Sequence, residues 1–329
     1  MRDAYAKFEE ADVALYALSY DDPIVLREFS EKQSIPYPLL SDVDSDVIRR
    51  YGILNEQVKP GDLILYGIPY PGAYITDGDG IVVSKSFHGS YKIRDSPEAL
   101  LDAALGRAHL DDVEIAAPQG DDEVRVQVAL RGGRGTIRQG IVRHAFARFE
   151  LADGLHLYGE PVPKGMIATQ VEISGPPGLV VHDPVAPPTE TLQIGSMGVE
   201  LQVWSGSFDI EIPFHAVGEL ASECRPLDQD AVPIQVTVRY QACDDETCLL
   251  PKTETFRFDV PLDVVDIPKL GMHLGHGQRE GNFDAQPHLE RLLKRKFKES
   301  PLGFVRHLFL AARLNLAAKL RALRGEAKP

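Results

Sequence analysis

Two of the three cysteines of this 329-residue chain, Cys243 and Cys248, lie close together. The run from residue 240 to 251 reads YQACDDETCLLP, and an alternating apolar pattern before and after it predicts two strands joined by a tight turn. Directly opposed residues of antiparallel strands have Cα atoms about 4.5–5.5 Å apart, and disulfides span about 4.4–6.8 Å. The spacing therefore permits a disulfide that closes with little backbone movement.

Four interpretations remain open for this pair. A ring this short adds little chain-entropy stabilisation, which favours a reversible redox couple over a structural link. The acidic residues at 244 to 246 should raise the thiol pKa values, which suits exchange with partners better than attack on peroxide. A structural disulfide and two incidental thiols are the alternatives, and a zinc site would lack ligands. Cys224 is interpreted as a lone thiol.

Composition places the chain among water-soluble globular proteins. It is 43% hydrophobic and 26% charged, with a net charge of -14, which argues against a role in nucleic-acid binding. No apolar run approaches a membrane span, and the first residues show no signal peptide. The length favours two domains.

Residues 1–110 alternate between helical and strand patterns, which predicts an α/β domain. A short apolar strand ends at Ser19, Asp22 and Pro23 open a helix, and Ser96 with Pro97 opens the last one. The sequence DGDG at 77–80 joins two apolar runs and predicts a hairpin; a calcium loop is the weaker alternative because further ligands are absent.

Residues 123–266 have a different hydrophobic pattern, which predicts an all-β domain. Four runs alternate with a period of two residues, and Pro and Gly cluster between them, which is typical of an antiparallel sandwich. The acidic stretch from 109 to 122 is interpreted as a linker. The GGRG run after Arg131 is a weak candidate for phosphate binding.

Residues 288–325 predict a basic amphipathic helix. From His288 to Pro329 there are eleven Lys or Arg and three Glu, and Arg306, Arg313 and Arg324 fall on one side of a helical wheel. Residues 301–324 could contact a membrane surface or a partner, and packing against the chain's own domain is the simpler interpretation. His273 and His276 lie in a Gly-rich joint and are weak metal candidates.

The cysteine run resembles that of the N-terminal domain of the thiol:disulfide interchange protein DsbD. The matching features are the Tyr-Gln-x-Cys start, the second cysteine and the proline after it, together with the GLHLY stretch at 154–158. The resemblance implies an immunoglobulin-like sandwich whose Cys243 and Cys248 pass electrons to or from another thiol–disulfide protein outside the cytoplasm. A cytoplasmic location is the alternative, and no cofactor or metal is implied.

Residues 12–105 resemble the later part of a thioredoxin-like domain of the peroxiredoxin, or redoxin, type. The resemblance rests on the runs ALSYDDP, IPYPLLSD and GIPYPGAYITDGDG, and it implies a cis-proline at Pro71 beside the active site. The family's reactive cysteine and a central strand have no counterpart here. Either the reading frame begins further upstream, or the domain is degenerate and is completed by a partner strand.

The fold predicted as a whole is α/β followed by all-β: an incomplete thioredoxin-like domain, an immunoglobulin-like sandwich and a basic helix. The leading hypothesis is a bacterial thiol–disulfide protein working through Cys243 and Cys248, with no peroxidase activity in this chain. The alternative is a non-enzymatic interaction module with a structural disulfide and a degenerate redoxin domain.

Overall fold

A computed structural model describes most of the chain. The described residues are 1–59, 66–106, 114–194, 199–222, 225, 229–244 and 246–264, with single residues and short runs between 290 and 316. Cys224, the two histidines at 273 and 276, and most of the predicted helix at 288–325 lie outside the described residues.

The N-terminal part contains short helices and two separate strand pairs. A 3-10 turn at Arg2–Ala4 leads into the first helix. The elements that follow are α1 (Tyr5–Glu10), β1 (Ala17–Ser19), α2 (Pro23–Gln33), β2 (Leu39–Ser41), α3 (Asp46–Arg50), β3 (Gly72–Thr76), β4 (Val82–Phe87), β5 (Arg94–Asp95) and α4 (Pro97–Leu105).

Capping residues fix the starts of α2 and α4, the two longest helices of the described N-terminal part. The Asp22 carboxylate accepts a hydrogen bond from the Ile24 amide at 2.7 Å, and the Ser96 hydroxyl accepts one from the Ala99 amide at 3.2 Å. In each helix a proline occupies the first turn, where its missing N–H is not needed. Both predicted helix starts are confirmed.

The strands of the N-terminal part form two sheets of two strands each. Parallel β1 and β2 make one, and the predicted hairpin of β3 and β4 makes the other. In this hairpin Asp77 binds its own turn, because its carboxylate accepts from the Asp79 and Ile81 amides. Among the described residues no strand joins the two sheets.

The expectation of a cis-proline at Pro71 is wrong. The cis peptide bond found within the described ranges is Glu160–Pro161, and the bond before Pro71 is not cis.

The rest of the described chain is built from strands. They are β6 (Glu114–Ile115), β7 (Gln119–Gly120), β8 (Val124–Arg131), β9 (Ile141–Leu151), β10 (His156–Tyr158), β11 (Gln170–Ser174), β12 (Leu179–Val181), β13 (Glu190–Ile194), β14 (Val199–Ser205), β15 (Ser207–Ala216), β16 (Ala231–Tyr240), β17 (Ala242–Cys243) and β18 (Lys252–Pro261), with helix α5 (Gly218–Ala221) after β15.

The main core lies between two of the three sheets of this part. One sheet has the strand order β12-β15-β9-β8-β6, and the sheet facing it has the order β11-β16-β18. The period of two in β8, β9, β15, β16 and β18 sends every second side chain into one shared apolar cluster. This arrangement confirms the predicted sandwich.

The predicted linker forms sheet structure instead. Residues 114–115 and 119–120 pair with β8, and β5 of the N-terminal part pairs in parallel with the start of β9. Gly140 permits this approach, because a Cβ there would lie 2.0 Å from the Lys92 carbonyl oxygen. Backbone pairing therefore joins the two parts of the chain. The Pro and Gly residues of the predicted linker do not indicate this pairing.

Candidate functional site

The third sheet of the sandwich carries the cysteine pair. Its strand order is β13-β14-β10-β17, and Cys243 on β17 lies opposite His156 on β10. Cys243 and Cys248 form an isolated antiparallel bridge and are joined by a disulfide, with Cα atoms 4.0 Å apart. The structure thus places the two predicted residues face to face, as their spacing implied.

The two sulfurs have different environments. Cys243 has no exposed surface and belongs to a small apolar cluster with Tyr158, Leu201 and Val203. Cys248 is exposed at the edge of the turn. An incoming thiolate would therefore meet Cys248 first, and Cys243 would be the buried leaving group.

Tyr158 connects the small cluster with the exposed sulfur. Its hydroxyl oxygen lies 3.7 Å from Cys248 Sγ, and its ring meets the His156 ring edge-on with centroids 5.3 Å apart. Burial raises the pKa of the Tyr158 phenol, so the hydroxyl stays protonated and can donate to a sulfur anion. Both residues belong to the GLHLY run at 154–158, whose sequence alone indicates no role for either side chain.

The acidic turn between the cysteines is held by its own first residue. Asp244 Oδ1 accepts hydrogen bonds from the Glu246 and Thr247 amides at 2.8 and 2.6 Å. The hydrogen bond from the Thr247 amide, followed by that from Glu246, lowers the pKa of Asp244, with a smaller contribution from the charge of His156. Asp244 therefore stays ionised beside the disulfide while it closes the turn.

Gln241 ties the segments on either side of the disulfide together. Its amide oxygen accepts from the Ile167 amide at 3.2 Å, and its amide nitrogen donates to the Leu249 carbonyl at 3.1 Å. Met166, next to Ile167, packs against the cluster around Cys243. The local sequence around Gln241 does not predict this positioning role, because the role depends on a contact 74 residues away along the chain.

A second polar region lies between helix α4 and side chains of β8, β9 and β15. It surrounds a crevice of about 370 Å³. Arg131 of β8 and Asp102 of α4 form a two-pronged ion pair whose side chains are 5% and 13% exposed, and Glu211 pairs with His144. Since these charged groups already pair with one another, the crevice is best described as the contact between the two parts of the chain.

Two histidines, His182 just after β12 and His215 on β15, lie close together. His182 Nε2 and His215 Nδ1 are 3.0 Å apart. Burial, with smaller contributions from the nearby His182 and His88, lowers the pKa of His215 to about 4. Across the described ranges no group of three or more His, Cys, Asp or Glu is placed to hold a metal ion.

Comparisons with known proteins divide the chain in the same way. Residues 1–85 match the family model of the AhpC/TSA family, and residues 136–260 match that of the thiol:disulfide interchange protein DsbD, N-terminal. These matches confirm both resemblances. The chain contains a thioredoxin-like redoxin region followed by a DsbD N-terminal type of domain.

Curated relatives match the first part. The chloroplastic peroxiredoxin Q of Arabidopsis thaliana is 35% identical over 81 residues, which are 25% of this chain and 34% of that protein. A putative peroxiredoxin bcp of Coxiella burnetii is 26% identical over 85 residues, which are 25% of this chain and 52% of the relative. The chain therefore spans about a third to a half of the length of these relatives.

Two solved structures have a partial similarity to this chain. The N-terminal periplasmic domain of ScsB from Proteus mirabilis has 14% identity and a TM-score of 0.31, covering 45% of this chain and 51% of that one. The reduced DsbD N-terminal domain of Neisseria meningitidis has 19% identity and a TM-score of 0.24, covering 36% of this chain and 77% of that one.

Proposed function

We propose that this protein exchanges electrons with another thiol–disulfide protein through Cys243 and Cys248. The observation that carries the proposal is the unequal exposure of the two sulfurs in one disulfide: Cys248 is exposed, and Cys243 is fully buried. An exchange couple needs one sulfur that a partner can reach, and burial of the other protects the intermediate from side reactions. The match of residues 136–260 to the DsbD N-terminal family supports the same reading.

The reaction balances with a partner dithiol as the reductant. The partner's thiolate attacks Cys248 Sγ, a mixed disulfide forms, and Cys243 leaves as a thiolate that takes up a proton. The partner's second thiol then attacks its own sulfur in the mixed disulfide and releases Cys248. Two electrons pass to the pair and the partner becomes a disulfide; the reverse sequence oxidises the pair.

The N-terminal part is proposed to have no peroxide-reducing role in this chain. Residues 1–110 contain no cysteine, although residues 1–85 match a family that includes peroxiredoxins. The proposed division is a redoxin-type part at residues 1–110 and an exchange domain at residues 123–266, with residues 114–120 pairing along its edge strand β8.

A redox titration tests the exchange proposal. The purified Cys224→Ser chain is equilibrated in glutathione buffers, and mass-tagged alkylation measures the oxidised fraction of the Cys243–Cys248 pair. We expect a reversible midpoint between about -180 and -270 mV, the range of exchange catalysts. The variant in which both Cys243 and Cys248 are replaced by Ala gives the background signal. A midpoint below about -300 mV would make the disulfide structural and favour the interaction-module alternative.

A second proposal concerns the region 301–324. Phe309 and Leu302 are 77% and 73% exposed, and Val305, Phe309 and Leu316 fall within about 40° on a helical wheel. Residues 300 to 325 contain five Lys or Arg and no acidic residue. An anionic membrane surface would accept such a basic, apolar segment lying in its plane. Among the described residues no helix is long and apolar enough to cross a membrane.

Vesicle co-sedimentation tests the membrane proposal. The full chain should sediment with vesicles that contain phosphatidylglycerol and remain free with purely zwitterionic vesicles. Phe309→Glu should abolish the binding, whereas Ile81→Glu, at an exposed apolar residue of the N-terminal part, should leave it unchanged. Equal binding by wild type and Phe309→Glu would refute the proposal.

A further inference from the structure

The segment after the exposed cysteine presents an apolar side chain to solvent. Leu250, two residues beyond Cys248, is 84% exposed, the highest value for any large hydrophobic residue within the described ranges. Leaving a leucine this exposed gains nothing for the fold, because its side chain leaves water only when another molecule covers it. Because Leu250 is only two residues from Cys248, a molecule that covers it would also lie near the exposed sulfur.

The backbone around Leu250 is fixed on both sides. The Leu249 amide donates to the Ala242 carbonyl at 2.8 Å, and the Leu249 carbonyl accepts from the Gln241 side chain at 3.1 Å. Pro251 restricts the backbone of the preceding residue, Leu250, and strand β18 begins at Lys252. The backbone at Leu250 is therefore restricted before any partner binds, which lowers the conformational entropy lost when a partner covers the side chain.

Exposed acidic side chains precede Cys248 in the same turn. Asp244 and Glu246 are exposed in the turn, and the hydrogen bonds to Asp244 described above keep its carboxylate ionised. An approaching molecule thus meets an exposed apolar side chain two residues after Cys248 and exposed negative charge two and four residues before it. Acidic side chains beside a contact attract cationic partners and repel anionic ones.

We propose that Leu250 and the acidic turn at Asp244 and Glu246 form the docking surface for the redox partner. The partner that fits is a thiol–disulfide protein with an apolar side chain and a cationic group beside its reactive cysteine. This inference rests on the exchange function proposed above and specifies the class of partner. Leu250 would select the partner and would take no part in the exchange itself, because disulfide exchange requires no group from its side chain.

Two synthetic peptides test the surface on the full oxidised Cys224→Ser chain. Each has a single cysteine; one carries leucine and arginine beside it, and the other carries serine and glutamate. The initial rate of mixed-disulfide formation at Cys248 is measured for each peptide. Each rate is divided by the same peptide's rate with oxidised glutathione, which removes differences in thiol reactivity.

We expect the normalised rate to favour the leucine–arginine peptide by about tenfold. Leu250→Ser should remove about threefold to fivefold of this preference, a fraction of the gain from burying one leucine. Glu246→Gln should remove the electrostatic share of the preference, which is the share that high salt also removes. The matched control is Ile81→Ser, which replaces another exposed apolar residue far along the chain and should change nothing.

Two results overturn the inference. One is equal normalised rates for the two peptides with the wild-type chain; the other is a full preference retained by Leu250→Ser. The failure of the exchange function is distinguishable from both, because then neither peptide nor dithiothreitol would open the disulfide at a measurable rate.

Discussion

The sandwich should depend only modestly on its disulfide. Cys243 and Cys248 are five positions apart, so the bond closes a ring of about six residues. The loop-entropy relation gives about 7 cal/mol/K for such a ring, or about 2 kcal/mol at 25 °C. Reduction should therefore lower the free energy of unfolding by about 2 kcal/mol and leave the sandwich folded.

Urea unfolding measures this quantity without altering the sequence. The chain has one tryptophan, Trp204, which packs against Phe208 at the edge of the main core, so its fluorescence follows the sandwich. Oxidised and reduced Cys224→Ser chains are compared at equal ionic strength. The Cys243→Ala/Cys248→Ala chain, insensitive to reductant, shows that the reductant itself has no effect.

Either of two outcomes would refute this reasoning. A loss of about 4 kcal/mol or more would show that the bond is a structural link on which the fold depends. No loss at all would show that the short turn is held as firmly by its hydrogen bonds as by the covalent bond. The first outcome would also count against a freely exchanging couple, since a strongly favoured disulfide resists reduction.

Three further predictions follow from burial and charge. In the reduced chain, iodoacetamide should modify Cys248 at least about tenfold faster than Cys243, as read by peptide mass spectrometry, because only Cys248 is exposed. Asp102→Ala should lower the free energy of unfolding by about 3 kcal/mol, because it leaves the buried Arg131 charge unpaired, and Asp102→Leu with Arg131→Met should recover most of the loss. Unfolding free energy should also fall as the pH is lowered from about 6.5 to about 4, because His215 stays neutral in the folded state and takes up a proton when unfolded.

The pH prediction has a stated size and a control. The lowered pKa of His215 corresponds to a loss of about 3 kcal/mol across that interval, with full stability above pH 6.5. His215→Gln keeps a hydrogen-bonding side chain and removes the titration, so its stability should change less over the interval. An identical pH profile for the wild type and His215→Gln would contradict this explanation. An Asp102→Ala chain as stable as the wild type would contradict the prediction made for the Arg131–Asp102 ion pair.

Local patterns in the sequence predicted the parts that short-range physics determines. Three features depend only on residues close together in the sequence, and all are present: the helix caps at Asp22 and Ser96, the hairpin at 77–80 and the period-two strands. The facing of Cys243 and Cys248 followed from the same reasoning, because it depends only on where two adjacent strands turn.

Long-range contacts were not predictable in this way. The Arg131–Asp102 pair joins residues 29 apart, and Gln241 reaches a loop 74 residues away. Nothing in the local run around Gln119 distinguishes a linker from a short edge strand, because the pairing energy comes from β8. The exposure of Leu250 was likewise invisible, since an apolar residue next to a strand usually faces the core.

The pairing of β6 and β7 with β8 has a practical consequence for shortened chains. A chain that began at Glu123 would lose both strands and leave the backbone donors and acceptors along one side of β8 unpaired. Exposed strand edges pair with other chains and cause aggregation. A fragment intended to be soluble should therefore begin at or before Glu114, and poor behaviour of the shorter fragment would say nothing about the stability of the sandwich itself.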